Sequence, residues 1–153
     1  MAKKRRAKTK QSAVTAAEAL DPEGLVAWAR RYIEALRVKN YSERTLETRQ
    51  SYLQIFSRWC ADRNITRPTE VTKPILERYQ RHLFHFRRAD GRPLTFQTQH
   101  KRLVQVRGYF KWLTRQNVLL WNPASELELP KLERRLPRHV LTETEAEKVM
   151  LQP

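Results

Sequence analysis

From Thr95 to Pro123 the chain reads TFQTQHKRLVQVRGYFKWLTRQNVLLWNP, and Leu103, Val106, Phe110 and Leu113 recur in it at steps of three and four. That period puts them on one face of an α-helix and demands a core for the face to pack against. The other side is polar and basic. Gln97, Lys101 and Gln105 lie roughly across from the stripe, with Thr98 and Arg102 on its flank. Gln, Lys and Arg so placed can hydrogen-bond base edges in a major groove or pair with phosphates. The same pattern also describes a merely solvated face, and this helix alone does not choose between the two. Gly108 inside it costs ~1 kcal/mol relative to alanine, which a close helix crossing would explain.

Three further stripes supply partners for that face. A first helix is expected to begin near Asp21-Pro22 and to bury Leu25, Trp28, Ala29, Tyr32 and Leu36, with Asn40 as a left-handed terminator. A second starts after a Ser42 cap, with Tyr41 and Leu46 as a hydrophobic staple. It turns Leu46, Leu53, Phe56 and Cys60 inward and Arg44, Thr48, Ser51 and Arg58 outward. A third follows a Thr72 cap, buries Ile75, Tyr79, Leu83 and Phe86, and stops in the turn from Ala89 to Pro93, where Gly91 can take positive φ. No alternation of strand period is long enough to form a sheet, so the expected class is all-α.

The flanks differ in composition. Residues 1–20 carry six Lys or Arg without hydrophobic periodicity, as in a disordered basic tail. The packed domain is expected over 21–125. An extended linker spaced by Pro130 and Pro137 should occupy 126–140. The capping box Thr142-Glu143-Thr144-Glu145 then opens a fifth helix in 141–153, the expected start of a truncated second domain.

A formal charge of +15 and a pI near 10.6 point to a polyanionic partner, with nucleic acid ahead of an anionic membrane. No apolar run approaches the roughly 20 residues of a spanning helix, and the residues after the basic start are too polar for a signal peptide, so a cytoplasmic location is expected. Cys60 is the only cysteine, which excludes an internal disulfide and reads as a packing residue. His82-x-x-His85 has a one-turn spacing but no accompanying Cys, Asp or Glu cluster, so no metal site is expected. No cofactor site is expected either. Tyr32, Tyr41, Tyr52, Tyr79 and Tyr109 all fall in or beside apolar patterns and read as packing residues, not nucleophiles.

From Leu25 onward the chain resembles the N-terminal, core-binding part of the tyrosine recombinases, the phage-integrase and Xer-like group. The residues that carry the resemblance are Ser42-x-x-Thr45-Leu46 with Leu53, Phe56 and Trp59; Val71-Thr72 leading to Tyr79 and Leu83; and Leu103, Val106, Arg107, Phe110, Trp112 and Leu113. Asn122-Pro123-Ala124, Leu129-Pro130-Lys131, Arg135-Leu136-Pro137-Arg138 and Leu141-Thr142-x-x-Glu145 then follow in order. The order and spacing of these pieces are more specific than any one of them.

The resemblance implies a four-helix, SAM-like bundle whose second and fourth helices approach double-stranded DNA, joined by a linker to a catalytic domain that completes a clamp. It makes Ser42, Arg44, Thr45 and Thr48 DNA contacts on the second helix, and Gln97, Thr98, Gln99, Lys101, Arg102 and Gln105 on the fourth. The helical period itself places Gln99 nearer the core. Arg49 stands where relatives commonly carry an aromatic residue; it either snorkels toward phosphate or leaves that corner loosely packed. Family chemistry, attack of a tyrosine on a phosphodiester, belongs to the second domain, so no catalytic residue is assigned here. His85-x-x-Arg88 spells a family catalytic motif, but far upstream of its place. The implied parent is a tetramer on two DNA sites, and this chain alone a monomer. A stand-alone basic helical DNA-binding regulator or adaptor is the alternative. An RNA-binding domain is a third reading, weakened by the lack of aromatic stacking motifs on a sheet.

Overall fold

The computed structural model describes residues 19–133. Among them lie four long α-helices: α1 (Leu25–Val38), α2 (Glu43–Ala61), α3 (Lys73–His85) and α4 (Phe96–Arg115). A 3-10 turn (Pro68–Glu70) precedes α3, and no strand occurs among the described residues beyond an isolated bridge between Arg87 and Pro93. The all-α class and the four-helix count agree with the sequence reading. The basic tail up to residue 18 and everything from residue 134, including the capping box at Thr142, lie outside the described residues.

Local chemistry sets the helix ends. The Ser42 hydroxyl accepts the Thr45 backbone N–H at 3.3 Å, and Thr95 does the same for Thr98 at 3.2 Å, so α2 and α4 open on equivalent side-chain caps. Thr72 occupies the N-cap position of α3 but makes no side-chain cap hydrogen bond, and Pro74 in the first turn removes one of the donors such a cap would serve. Three helices finish alike. Asn40, Asn64 and Asn117 take φ of 65°, 59° and 59°. The residue after each donates back to the carbonyl five positions earlier, Tyr41 to Leu36, Ile65 to Cys60 and Val118 to Leu113. This is the Schellman arrangement with asparagine in the left-handed position.

The four stripes meet in one core. Phe56 of α2 is fully buried and touches Tyr79 of α3 and Phe110 of α4 edge-on, at centroid distances of 5.0 and 5.9 Å. Each such side chain contributes ~1.5–3 kcal/mol relative to exposure. Tyr32 of α1 packs on Tyr109 and Trp112 of α4, and the Tyr109 hydroxyl donates to the Leu25 carbonyl at 2.9 Å, tying α4 to the first turn of α1. Ile33 and Trp59 are buried as well, beyond the stripes read from the period.

Three expectations need correction. Helix α1 begins at Leu25, not at Asp21. Asp21 accepts the Glu23 N–H and holds Arg67 at 3.2 Å, while Leu25 N–H donates to the Thr66 carbonyl, so Asp21 staples a loop in place of capping a helix. Phe86 is exposed because α3 stops at His85. The chain then turns through a short hairpin, closed by Arg88 N–H on the Arg92 carbonyl, with Gly91 at φ 80°. The segment after α4 also stays on the bundle longer than a linker from 126 would. Ala124 and Leu127 are buried, and Gln80 of α3 donates to the Glu128 carbonyl at 2.9 Å.

Candidate nucleic-acid interface

The residues proposed from sequence fall into three groups once their surroundings are known. Arg44, Gln97 and Lys101 are exposed, and no hydrogen bond, ion pair or ring contact engages their side chains among the described residues. They leave long, polar or charged side chains free at the opening turns of α2 and α4, and Gln105 lies half-buried two turns further along α4.

The hydroxyl residues are already engaged. Ser42 and Thr45 share a hydrogen bond at 2.8 Å, Thr95 donates to the Thr98 hydroxyl at 3.0 Å, and Thr48 donates to the Arg44 carbonyl at 3.0 Å. Thr48 commits its proton and keeps only lone pairs free, whereas Thr98, which accepts from Thr95, and the accepting member of the Ser42–Thr45 pair keep a proton to donate. Their first role is to hold the two helix openings rigid. The free N–H groups of such openings form a favourable environment for an anion.

Gln99, Arg49 and Arg102 are anchored in the packing. Gln99 is only 3% exposed, and its amide donates to the Leu94 carbonyl at 3.0 Å, so it braces the hairpin-to-α4 junction and presents no surface to a partner. The helical period, which placed it toward the core, is the better guide than the resemblance. Arg49 resolves the alternative left open above. It is half-buried, its guanidinium lies 4.8 Å from the Tyr41 ring centroid, and its charge acts on the Tyr32 hydroxyl, opposing the upward pull of burial on that phenol. A cation over one aromatic ring and beside another fills the corner that a larger apolar side chain could have filled. Arg102 is half-buried near the Tyr52 ring of α2, at 5.8 Å, where the second turn of α4 meets the third turn of α2. Its Nε is buried without an acceptor among the described residues.

Electrostatics favours a polyanion over chemistry on the chain. Helix α4 carries Lys101, Arg102, Arg107, Lys111 and Arg115 and not one carboxylate in its 20 residues. Burial pushes the Tyr32, Tyr79 and Tyr109 phenols up and the Cys60 thiol up to about 12, which is opposite to what a nucleophile at neutral pH requires. His85 ends α3 on the surface, and Arg88 lies in the hairpin. No group of three or more His, Cys, Asp or Glu side chains able to hold a metal occurs among the described residues. No helix of the described residues is long and apolar enough to cross a membrane.

One basic cluster escaped the sequence reading. Arg78, Arg81, His82 and His85 are spaced as i, i+3, i+4 and i+7 on α3 and line an open cleft with Trp59 of α2 and Arg63 of the turn that follows it. In the sequence the two histidines read as a metal spacing without companion ligands, and His85 as part of a displaced His-x-x-Arg; the interleaved arginines were the available signal.

Known proteins share this fold. Residues 28–119 match the family model for the phage integrase N-terminal SAM-like domain. Tyrosine recombinase XerC 2 of Ralstonia nicotianae is 47% identical over 119 residues, 78% of this chain and 34% of that protein. Tyrosine recombinase XerC of Pelotomaculum thermopropionicum is 30% identical over 128 residues, 80% of this chain and 40% of that protein. The chain therefore spans between a third and two fifths of the length of these relatives. Among solved structures, the N-terminal domain of a phage integrase/site-specific recombinase from Haloarcula marismortui superposes with a TM-score of 0.59 at 19% identity, over 70% of this chain and 96% of that one. The integrase of mycobacterium phage Brujita gives 0.58 at 19% identity, over 82% of this chain and 39% of that one. At such identity the two structures attest the fold alone.

Proposed function

The chain belongs to the phage integrase N-terminal SAM-like domain family, and we propose from that premise that it binds duplex DNA through the opening turns of α2 and α4. The observation that carries the reading is the composition of α4, which has five Lys or Arg and no Asp or Glu and leaves Gln97 and Lys101 exposed at its start. A solvated helix with no polyanionic partner gains nothing from excluding carboxylates, whereas a helix against phosphates does.

In this reading Arg44 and Lys101 pair with phosphates and set the register. Gln97 and Gln105 reach base edges, and the capped hydroxyls Ser42, Thr45, Thr48 and Thr98 accept or relay hydrogen bonds at the backbone. Arg102, held near Tyr52, offers its outer guanidinium nitrogens. Phosphate contacts dominate affinity and make it salt-dependent. The few base contacts give modest specificity.

The domain would form one half of a clamp at a recombination site, with tyrosine-based strand cleavage carried by sequence beyond these residues. It would bind and not cut. A full-length recombinase would work as a tetramer on two DNA sites inside the cell, while this chain alone stays monomeric and binds more weakly without the second arm of the clamp.

Fluorescence anisotropy of a labelled duplex and a matched RNA hairpin, each at two salt concentrations, tests the reading. Duplex-preferring binding that weakens steeply with salt is the expected result. Equal binding to the hairpin would overturn it. A regulator or adaptor would instead bind its site without cooperating with a separately supplied catalytic domain.

A further inference from the structure

The cleft between the C-terminal end of α2 and the outer face of α3 encloses about 470 Å³ and is lined by Trp59, Arg63, Arg78, Arg81, His82 and His85. Three arginines and two histidines line it, and no carboxylate does. Of the cations elsewhere, Arg37 pairs with Glu34 and Glu43, Arg67 with Asp21, and Lys73 with Glu77 and Glu126, whereas Arg44 and Lys101 at the helix openings are unpaired like those of the cleft. Arg63 is held in place, donating to the Trp59 carbonyl at 2.9 Å with its guanidinium 4.1 Å from the Trp59 ring centroid. Arg78 and Arg81 are exposed and have no ion pair, hydrogen bond or ring contact among the described residues. His82 stacks on Tyr79 and touches Trp59 and Phe86 at tilted and edge-on angles.

We propose that this cleft is a second phosphate site, which takes a backbone phosphodiester of DNA through Arg78, Arg81 and Arg63. Guanidinium groups present paired N–H donors that match two oxygens of one phosphate. The cleft is open along the surface, which suits a chain passing through it better than a small molecule enclosed in it. Burial first, and then the charges of Arg63 and Arg102, depress the His82 pKa, and the two guanidinium contributions agree with a cleft lined by cations. The cleft lies at the far end of α2 from the Ser42 opening of the interface proposed above, with Arg102 of that interface between them. Trp59 lies seventeen residues after Ser42 on the same helix, roughly 25 Å at 1.5 Å per residue. That is about seven nucleotide steps along a strand at ~3.4 Å each. The cleft would therefore grip DNA flanking the segment held by the openings of α2 and α4. The choice of DNA as the phosphate source rests on the proposed function; the phosphate site itself does not.

Two measurements on the full 153-residue chain keep those apart. In the first, the Trp59 indole and Arg side-chain N–H resonances are followed by NMR during titration with sodium phosphate and, at matched ionic strength, sodium chloride. The Trp59 signal is assigned by Trp59→Phe. A saturable shift with phosphate that chloride does not reproduce, and that Arg78→Gln/Arg81→Gln abolishes, is expected. An equal response to chloride, or a phosphate response that survives the double substitution, overturns the site. In the second, the double variant is compared with the unaltered chain on a duplex of about 30 base pairs. The slope of log affinity against log salt should fall by about 0.9 for each phosphate lost, with helical content unchanged. A positive phosphate titration with an unaltered DNA slope would overturn DNA as the source and assign the cleft to a small phosphate anion. Failure of the unaltered chain to bind any duplex would overturn the proposed function and DNA as the source together, while the phosphate titration still decides the site.

Discussion

The Tyr32 hydroxyl of α1 lies so close to Gly108 of α4 that a Cβ added there would approach it to 3.2 Å. The charge of Arg49 on α2 acts on the same hydroxyl, so three helices meet around one phenol. Glycine inside a helix costs ~1 kcal/mol against alanine, and the crowding accounts for its presence. Gly108→Ala should therefore gain less than that amount in the unaltered chain, because Tyr32 must shift. In a Tyr32→Phe background the full ~1 kcal/mol should return. Urea denaturation of the four chains measures the coupling; equal effects of Gly108→Ala in both backgrounds would show that the contact is not the reason for the glycine.

Two buried phenols differ in what their hydroxyls do. Tyr109 donates to the Leu25 carbonyl, whereas the Tyr79 hydroxyl is buried with no partner among the described residues. Tyr109→Phe should cost ~1 kcal/mol. Tyr79→Phe removes an unsatisfied polar atom and should leave stability unchanged or raise it by ~1 kcal/mol. Denaturant midpoints measured side by side decide this, and a loss on Tyr79→Phe comparable to that at Tyr109 would mean the hydroxyl has a partner after all.

These contrasts mark the limit of what is legible in the chain itself. Periodicity delivered the faces of α2 and α4, because Leu46, Leu53, Phe56, Cys60 and the run from Leu103 to Leu113 repeat with the helix. Ser42 announced its cap by residue type and Asn40 its left-handed turn, whereas the cap expected at Thr72 makes no hydrogen bond and the one at Thr95 was not read. Pairwise geometry was not legible. Nothing in one dimension shows that Gln99 spends its amide on Leu94, that Arg49 settles over Tyr41, or that Arg78 and Arg81 face Arg63 from α3. Phe86 was misplaced for a related reason: the stripe continues through it, but the helix does not, and the hairpin closed at Arg87 and Pro93 turns it outward. For the candidate interface, type and face were readable at Arg44, Gln97 and Lys101. The degree of anchoring at Thr45, Thr48 and Arg102 required the fold.

His82 gives the chain a pH-dependent component of stability. Burial first, and then the charges of Arg63 and Arg102, hold its folded pKa below the ordinary 6.5. The unfolded chain therefore binds the proton more readily, so stability rises with pH across the interval between the two values. The contribution is fully present above about pH 6.5 and is lost as pH falls through the folded pKa. Denaturation from pH 8 to pH 5 should show a decline that His82→Gln reduces. A decline of equal size in both chains would assign it to other groups.

Lys101 and Gln99 provide the sharpest separation of contact from scaffold, since they stand two residues apart on α4 with opposite environments. Lys101 is exposed, and its removal takes one charge from the proposed DNA face without disturbing the core. Lys101→Ala should leave the unfolding free energy within ~0.5 kcal/mol of the unaltered chain and lower the salt slope of duplex binding by about 0.9. Gln99→Leu leaves the Leu94 carbonyl without its donor and should destabilise the fold by ~1–3 kcal/mol. At temperatures where the variant remains folded, its salt slope should match that of the unaltered chain. Anisotropy titrations at three salt concentrations, paired with denaturation curves, read both quantities. A slope change in Gln99→Leu with none in Lys101→Ala would reverse the assignment of the two faces of α4 and turn the proposed interface away from DNA.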